Sequence, residues 1–370
     1  MSRRVLLAPL MIAALLSTST PMQGQSPSRS VATGVHVESF RFDEPDVAGA
    51  ETLSLVTVPF AVRLPLGARF GVDLRGSWAR GTLTHEGVTT RVEGPTDTEI
   101  SATLRVGGGA SLTGVLLLPT GHSTHTLAES RAAALFASDL LLFQTSNWGS
   151  GGGGGVRASM SRRFGTLGAG LSLGYFQARD FSPLAGENLT LRPGSNVVVR
   201  GALDQSLGES AKATLVVTFR RYAEDRMDGR NLFRAGDRVQ AMGSVSFALG
   251  RRATGVVYGG GLHRSGGVFV DAGPQVRDRT YMVAGGGGRF RIGSAVLVPG
   301  VDFRALRSSD GIGQGVDTRF GAALELAWGG VRLVPSARAR IGRLSVFDAV
   351  ESGFMGTEFG LSIGFGGGAS

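Results

Sequence analysis

Two histidines three residues apart, His122 and His125, are the first residues of this chain whose spacing could do chemistry. On a helix the pair would share a face and could ligate a metal. The preceding Pro119-Thr120-Gly121 reads as a turn, however, and no thiol or acid close by in the sequence offers a third ligand. The expectation is a solvated loop and no metal. His36, His85 and His263 stand alone in the sequence. A hydrolytic site would need one of these histidines beside a serine or carboxylate, and no Gly-x-Ser-x-Gly elbow occurs in a strand-to-helix setting. The glycine runs at residues 151–155 and 285–288 are not followed by Lys-Ser or Lys-Thr, so they are not phosphate cradles. No catalysis and no cofactor are expected.

The other chemistry-bearing residues are charges that fall on the polar side of an alternating pattern. They are Asp73, Arg75, Glu99, Arg105, Asp302, Arg304, Arg319, Glu325, Arg332, Arg338, Arg340 and Glu358. Facing an aqueous interior, they would set an electrostatic preference among solutes, with arginine favouring anions. The alternative is that they pair with one another and fill that interior. Neither reading lets them face lipid, where a midplane arginine costs about 2–4 kcal/mol. The net charge of +9 is almost wholly arginine, since Lys212 is the only lysine. These charges are scattered singly along the chain rather than clustered with aromatics, which argues against nucleic acid as a partner.

The elements that carry these residues are strands. Val239, Ala241, Gly243, Val245, Phe247 and Leu249 alternate with Arg238, Gln240, Met242, Ser244, Ser246 and Ala248. Phe320, Ala322, Leu324, Leu326 and Trp328 alternate with Arg319, Gly321, Ala323, Glu325 and Ala327, and the same split recurs at residues 358–365. A helix there would mix charge with large apolar groups on every face, and its many glycines would each cost about 1 kcal/mol. The runs reach ten to twelve residues, longer than the roughly 5–6 of strands in a soluble sandwich and suited to crossing a bilayer. Connections alternate between tight turns (near residues 65–68, 107–109, 163–166, 207–210, 250–253, 291–294 and 328–330) and longer polar loops. The long ones are expected near residues 43–50, 81–97, 120–152, 180–194, 223–236, 265–276, 308–316 and 342–354.

This asymmetry predicts an all-β fold: a transmembrane antiparallel β-barrel of about 16 strands, or 14 if the hairpin around residues 156–164 is misread. Pro59, Pro299 and Pro335 fall inside strands and are expected at bulges. Residues 127–143 read equally as a short helix folded into the barrel or as a long strand with its loop. The start of the chain, Met1-Ser2-Arg3-Arg4 and then an apolar run of about a dozen residues, reads as a secretory signal over residues 1–25, leaving residues 26–370 as the barrel. With no cysteine, disulfides and thiolate chemistry are absent. The predicted location is the bacterial outer membrane. The predicted partners are membrane lipid and lipopolysaccharide, a small-molecule solute, and the barrel-assembly machinery during biogenesis.

The stretch Leu116-Leu117-Leu118-Pro119-Thr120-Gly121, the glycine-rich residues 148–155 and Leu171-Ser172-Leu173-Gly174-Tyr175 carry a resemblance. So does Val62-Arg63-Leu64-Pro65-Leu66-Gly67 leading into Phe70-Gly71-Val72-Asp73-Leu74. Over about a third of its length the chain resembles the porin-like outer-membrane family of the phenol meta-pathway, related to the long-chain fatty-acid outer-membrane transporters. That resemblance implies passive uptake of small hydrophobic or aromatic compounds. Residues 120–152, the longest connection, are the expected constriction of the barrel. The rival functions are a closed structural barrel of the envelope and, less well supported, a hydrolase at the rim.

Overall fold

Period-two alternation places successive side chains on opposite faces of a strand, so a long alternating chain closes stably only as a ring with one wet and one apolar face. The computed structural model is such a ring of sixteen antiparallel strands. It describes residues 29–270, 273–309, 311, 313–345 and 350–366. The segment read as a signal, residues 1–25, lies outside the described residues.

The strands are β1 (Ser30–Phe42), β2 (Thr52–Pro65), β3 (Phe70–His85), β4 (in two segments, Val88–Pro95 and Thr98–Gly107), β5 (Ala110–Leu118), β6 (Gly153–Phe164), β7 (Leu167–Ala178) and β8 (Asn196–Leu207). Then follow β9 (Ala211–Tyr222), β10 (Arg238–Ala248), β11 (Ala253–Arg264), β12 (Arg279–Ile292), β13 (Ala295–Ser308), β14 (Gly315–Trp328), β15 (Val331–Leu344) and β16 (Ser352–Gly366). Each pairs with its sequence neighbour, and β1 closes on β16 from Ser30↔Gly366 to Phe42↔Phe354. The fourteen-strand alternative is not adopted, because β6 pairs in full register with β7.

The outer face carries Val31, Val35, Phe60, Leu112, Leu116, Leu171, Leu173, Val197, Leu215, Phe303 and Phe359, all exposed. Such a continuous apolar exterior is what a bilayer covers. No helix among the described residues is long and apolar enough to cross a membrane.

Every tight turn falls where expected, but four of the long connections contain pairing that the sequence did not reveal. Residues 81–97, read as a loop, are instead the outer end of β3 hairpinned onto the first segment of β4. Loop residues Leu191–Arg192, Glu224–Met227, Arg230–Arg234, Gly267–Phe269 and Gly273–Val276 form a separate five-stranded sheet at the long-loop end.

The prolines correct another expectation. None of Pro59, Pro299 and Pro335 sits at a register shift. Instead the ladder omits two consecutive pairs on one side of each proline and resumes in the same register. Pro299 stays paired with Ala322 of β14 while its β12 side is interrupted. A missing N–H thus costs a local opening and not a bulge.

Candidate functional site: the lumen and its plug

Residues 119–152 do not extend outward; they fold into the barrel. Thr126 starts a helix over Leu127–Phe136 through a reciprocal cap: its hydroxyl accepts from Glu129 N, and Glu129 Oε2 accepts from Thr126 N at 2.8 Å. Of the two readings of residues 127–143, the helix is the one realised.

The helix and the segment after it bury Ala132, Leu135, Phe136, Leu140, Leu141, Phe143 and Trp148 against inward-facing Phe40, Phe42, Leu53, Leu55, Ala79, Leu83, Leu306, Leu344 and Phe354. Fully burying each large apolar side chain contributes about 1.5–3 kcal/mol. Phe143 meets Phe40 edge-on at 5.0 Å, and Phe136 meets Trp148 at 5.6 Å. The wall makes room at Gly81, where a Cβ would come within 2.7 Å of the Phe136 ring and 2.9 Å of Trp148. A cavity of about 200 Å³ remains between the plug and the wall, lined by Phe42, Leu53, Leu135, Leu141 and Arg279 among others.

The plug backbone is held by wall side chains. Arg340, fully buried, donates to the carbonyl of Leu140 at 3.2 Å and to that of Leu141. Glu38 accepts from Gln144 N at 2.9 Å, Thr57 bonds Thr145 at 3.2 Å, and the Trp148 indole donates to Ala79 O at 3.0 Å. At the root, where β4 is interrupted, Asp97 accepts from Gly121 N at 3.0 Å and from Ser150 N at 2.7 Å.

The registers put all twelve charges singled out in the sequence on the inner face, but only half of them converge. Asp302 is bridged by Arg304 at 2.7 Å and Arg319 at 2.8 Å; Glu358 lies 3.6 Å from Arg319, 3.4 Å from Arg338 and 3.4 Å from Arg340. Asp317 completes this network by bonding Arg340 directly and lying 3.9 Å from Arg304. Asp317 and Glu38 were missed in the sequence, although parity with Arg319 and with Phe40 marks both as inward.

Three carboxylates thus meet four arginines, and with Glu38 on Gln144 N and Arg340 on the carbonyls of Leu140 and Leu141 the cluster acts as a latch for the plug. The others lie apart. Glu325 holds Arg289 at 2.6 Å and Arg332 at 2.8 Å near the tight-turn end. Asp73 bonds Arg63 at 2.6 Å, Arg75 stands opposite Glu99, and Arg105 donates to Ala68 O at 3.3 Å.

The opposite wall differs in charge. From β6 to β11 the inner face carries Arg157, Arg163, Arg200, Lys212, Arg220, Arg238 and Arg264, with Asp204 the one acid among the described residues. Asp204 is taken up by Lys212 at 2.9 Å and by Arg163. At the long-loop end Arg220, Arg238, Arg264 and Arg279 stand directly opposite one another on four successive strands. Such cross-strand neighbours lie roughly 4.5–5.5 Å apart between Cβ atoms, where like charges repel. Leu262, Tyr281 and Leu306 line a small recess beside this row, together with Asp139.

Two Gly-x-Ser-x-Gly stretches occur, at residues 170–174 and 360–364, both in mid-strand. His36 lies 3.5 Å from Ser362, but the backbone around that serine is committed to ladders with β1 and β15, leaving no pair of amides to hold an oxyanion.

No protein-family model matches the sequence, and a search of curated proteins returned no match. Among solved structures, the chain is similar to a bacterial polysaccharide outer membrane secretin (TM-score 0.46, 11% identity, 90% of this chain and 97% of that one). It is also similar to an outer membrane channel from Pseudomonas putida F1 (TM-score 0.40, 12% identity, 77% and 98%) and to a mutant Rh. blastica porin (TM-score 0.37, 12% identity, 91% and 99%). The closed ring, its apolar exterior and its alternation of tight turns with long loops make the chain a transmembrane β-barrel of the outer-membrane kind.

Proposed function

We propose that the protein is a passive channel for small solutes and that small organic anions with an aromatic or otherwise apolar body are the class it favours. The observation that carries this reading is the row Arg220–Arg238–Arg264–Arg279 at the long-loop end, whose last member the plug reaches through Asp139, 4.0 Å from Arg279. A row of facing guanidinium groups draws anions into the passage, and the adjoining Leu262, Tyr281 and Leu306 offer apolar contact to the rest of the solute. The resemblance around Leu116–Gly121 to the phenol meta-pathway family supports the aromatic part.

The test is electrical. In planar bilayers under a potassium chloride gradient, the reversal potential should indicate anion preference, and Arg238→Ser with Arg264→Ser should diminish it. Deleting residues 120–152 should raise single-channel conductance, and unchanged conductance would reject the plug as the constriction. A closed scaffold is the second reading, favoured by the latch on the plug. Absence of liposome swelling with small sugars, even after that deletion, would select it.

A further inference from the structure

The histidine pair set aside in the sequence for want of a third ligand acquires one in the fold. The cap at Thr126 turns the chain so that Glu129, in the first turn of the plug helix, comes back to His122 and His125. One potential ligand atom from each of the three lies within 4.8 Å of the others. The two imidazoles meet edge-on with centroids 4.9 Å apart, an arrangement in which their nitrogens converge without stacking.

The supports are rigid. His122 N donates to Pro95 O at 3.2 Å, while His125 is bound through its backbone at both ends to the loop after β7: its N donates to Pro183 O at 3.1 Å and its carbonyl accepts from Ala185 N at 2.9 Å. Thr124 adds a hydroxyl bond to Ser182 O at 2.7 Å. Glu129 spends one carboxylate oxygen on the cap, and no described contact occupies the other. Nδ1 of His125 is buried and has no hydrogen-bond partner, an unusual state for a polar atom in a folded chain.

We propose that His122, His125 and Glu129 form a binding site for a divalent transition-metal ion at the root of the plug. Two imidazoles and a carboxylate make a borderline donor set that suits zinc, nickel or copper and not calcium or magnesium. With metal–ligand bonds of about 2.0–2.1 Å, tetrahedral neighbours sit roughly 3.3 Å apart, so rotation of the side chains about their own bonds closes the present spacing. A bound ion would tie the entry of the plug to the start of its helix. A second cluster, Asp46, His85 and Glu86, has a single imidazole and serves as the control.

The experiment is titration of the purified full-length barrel with zinc chloride, followed by calorimetry and by the thermal midpoint of unfolding. The expected result is saturable binding at one site with a rise in the midpoint. Both should be lost in His122→Ala/His125→Ala and retained in His85→Ala. Glu129→Gln, which keeps an acceptor for the helix cap, should fold as the parent does and bind zinc more weakly. Saturable binding that survives the double histidine variant, disappears with His85→Ala or is absent from the parent overturns the proposal.

Discussion

Replacing Arg340 with alanine should release the plug. Its guanidinium is fully buried, holds Asp317, and donates to two consecutive plug carbonyls, those of Leu140 and Leu141. It also lies over the Phe40 ring at 4.9 Å. Hydrogen bonds from a charged donor are worth about 1.5–3 kcal/mol each, so the plug loses about 3–6 kcal/mol of attachment. Because Glu38, Thr57 and Ala79 still hold Gln144, Thr145 and Trp148, the lower end of that range applies. About 3 kcal/mol is a factor of roughly 10² in the ratio of released to docked plug. The barrel pays a separate cost: Asp317 keeps only Arg304, at 3.9 Å, and breaking a buried pair costs about 3–5 kcal/mol. Planar-bilayer recording should show openings of larger conductance in Arg340→Ala, and fewer of them in Arg340→Lys, which keeps the positive charge and donors but loses the planar fork of the guanidinium. If Arg340→Ala conducts as the parent does while the deletion of residues 120–152 conducts more, the latch argument is wrong.

Other perturbations have calculable outcomes. Trp148→Ala should lower stability by about 3–5 kcal/mol in denaturant titration, since a fully buried indole and its bond to Ala79 are both lost. Gly81→Ala should mimic plug release in conductance, because a methyl there meets two fully buried rings that have no room to move. Pro299→Val restores an amide to the β12 side of β13 and should stabilise the barrel by about 1 kcal/mol, with slower hydrogen exchange at residues 288 and 289. Exchanging Arg157 and Arg200 for serine together should shift the reversal potential towards neutrality while leaving the unfolding midpoint near that of the parent, as neither has a carboxylate partner among the described residues.

The strands, the tight turns and the side facing inward were readable because period two follows from backbone geometry and needs no tertiary information. Parity alone assigns Arg319 and Glu325 to the same face, and it would have assigned Asp317 there too. What the sequence concealed depended on contacts between distant segments. Leu140 to Phe143 are apolar, and lipid, a soluble core and the inside of a barrel all accept such a run; only Arg340 and Glu38, far away in sequence, make the last of these favourable. The cap Thr126-x-x-Glu129 was legible as a helix start. Its consequence, the return of a carboxylate to two histidines, depended on the turn before it. The loop sheet at the long-loop end was equally hidden, since its strands are two to five residues long.

The plug packs against β1 to β4 and β13, β15 and β16, and none of its large buried side chains meets β6 to β11. A solute route between the plug and β6 to β11 would have the section of a crescent, bounded by the concave wall and the convex plug. Permeation through such an opening is limited by the thickness of a molecule and not by its diameter. Flat rings should therefore outpace globular solutes of equal mass, a sieving rule that a centred constriction of the same area would not impose.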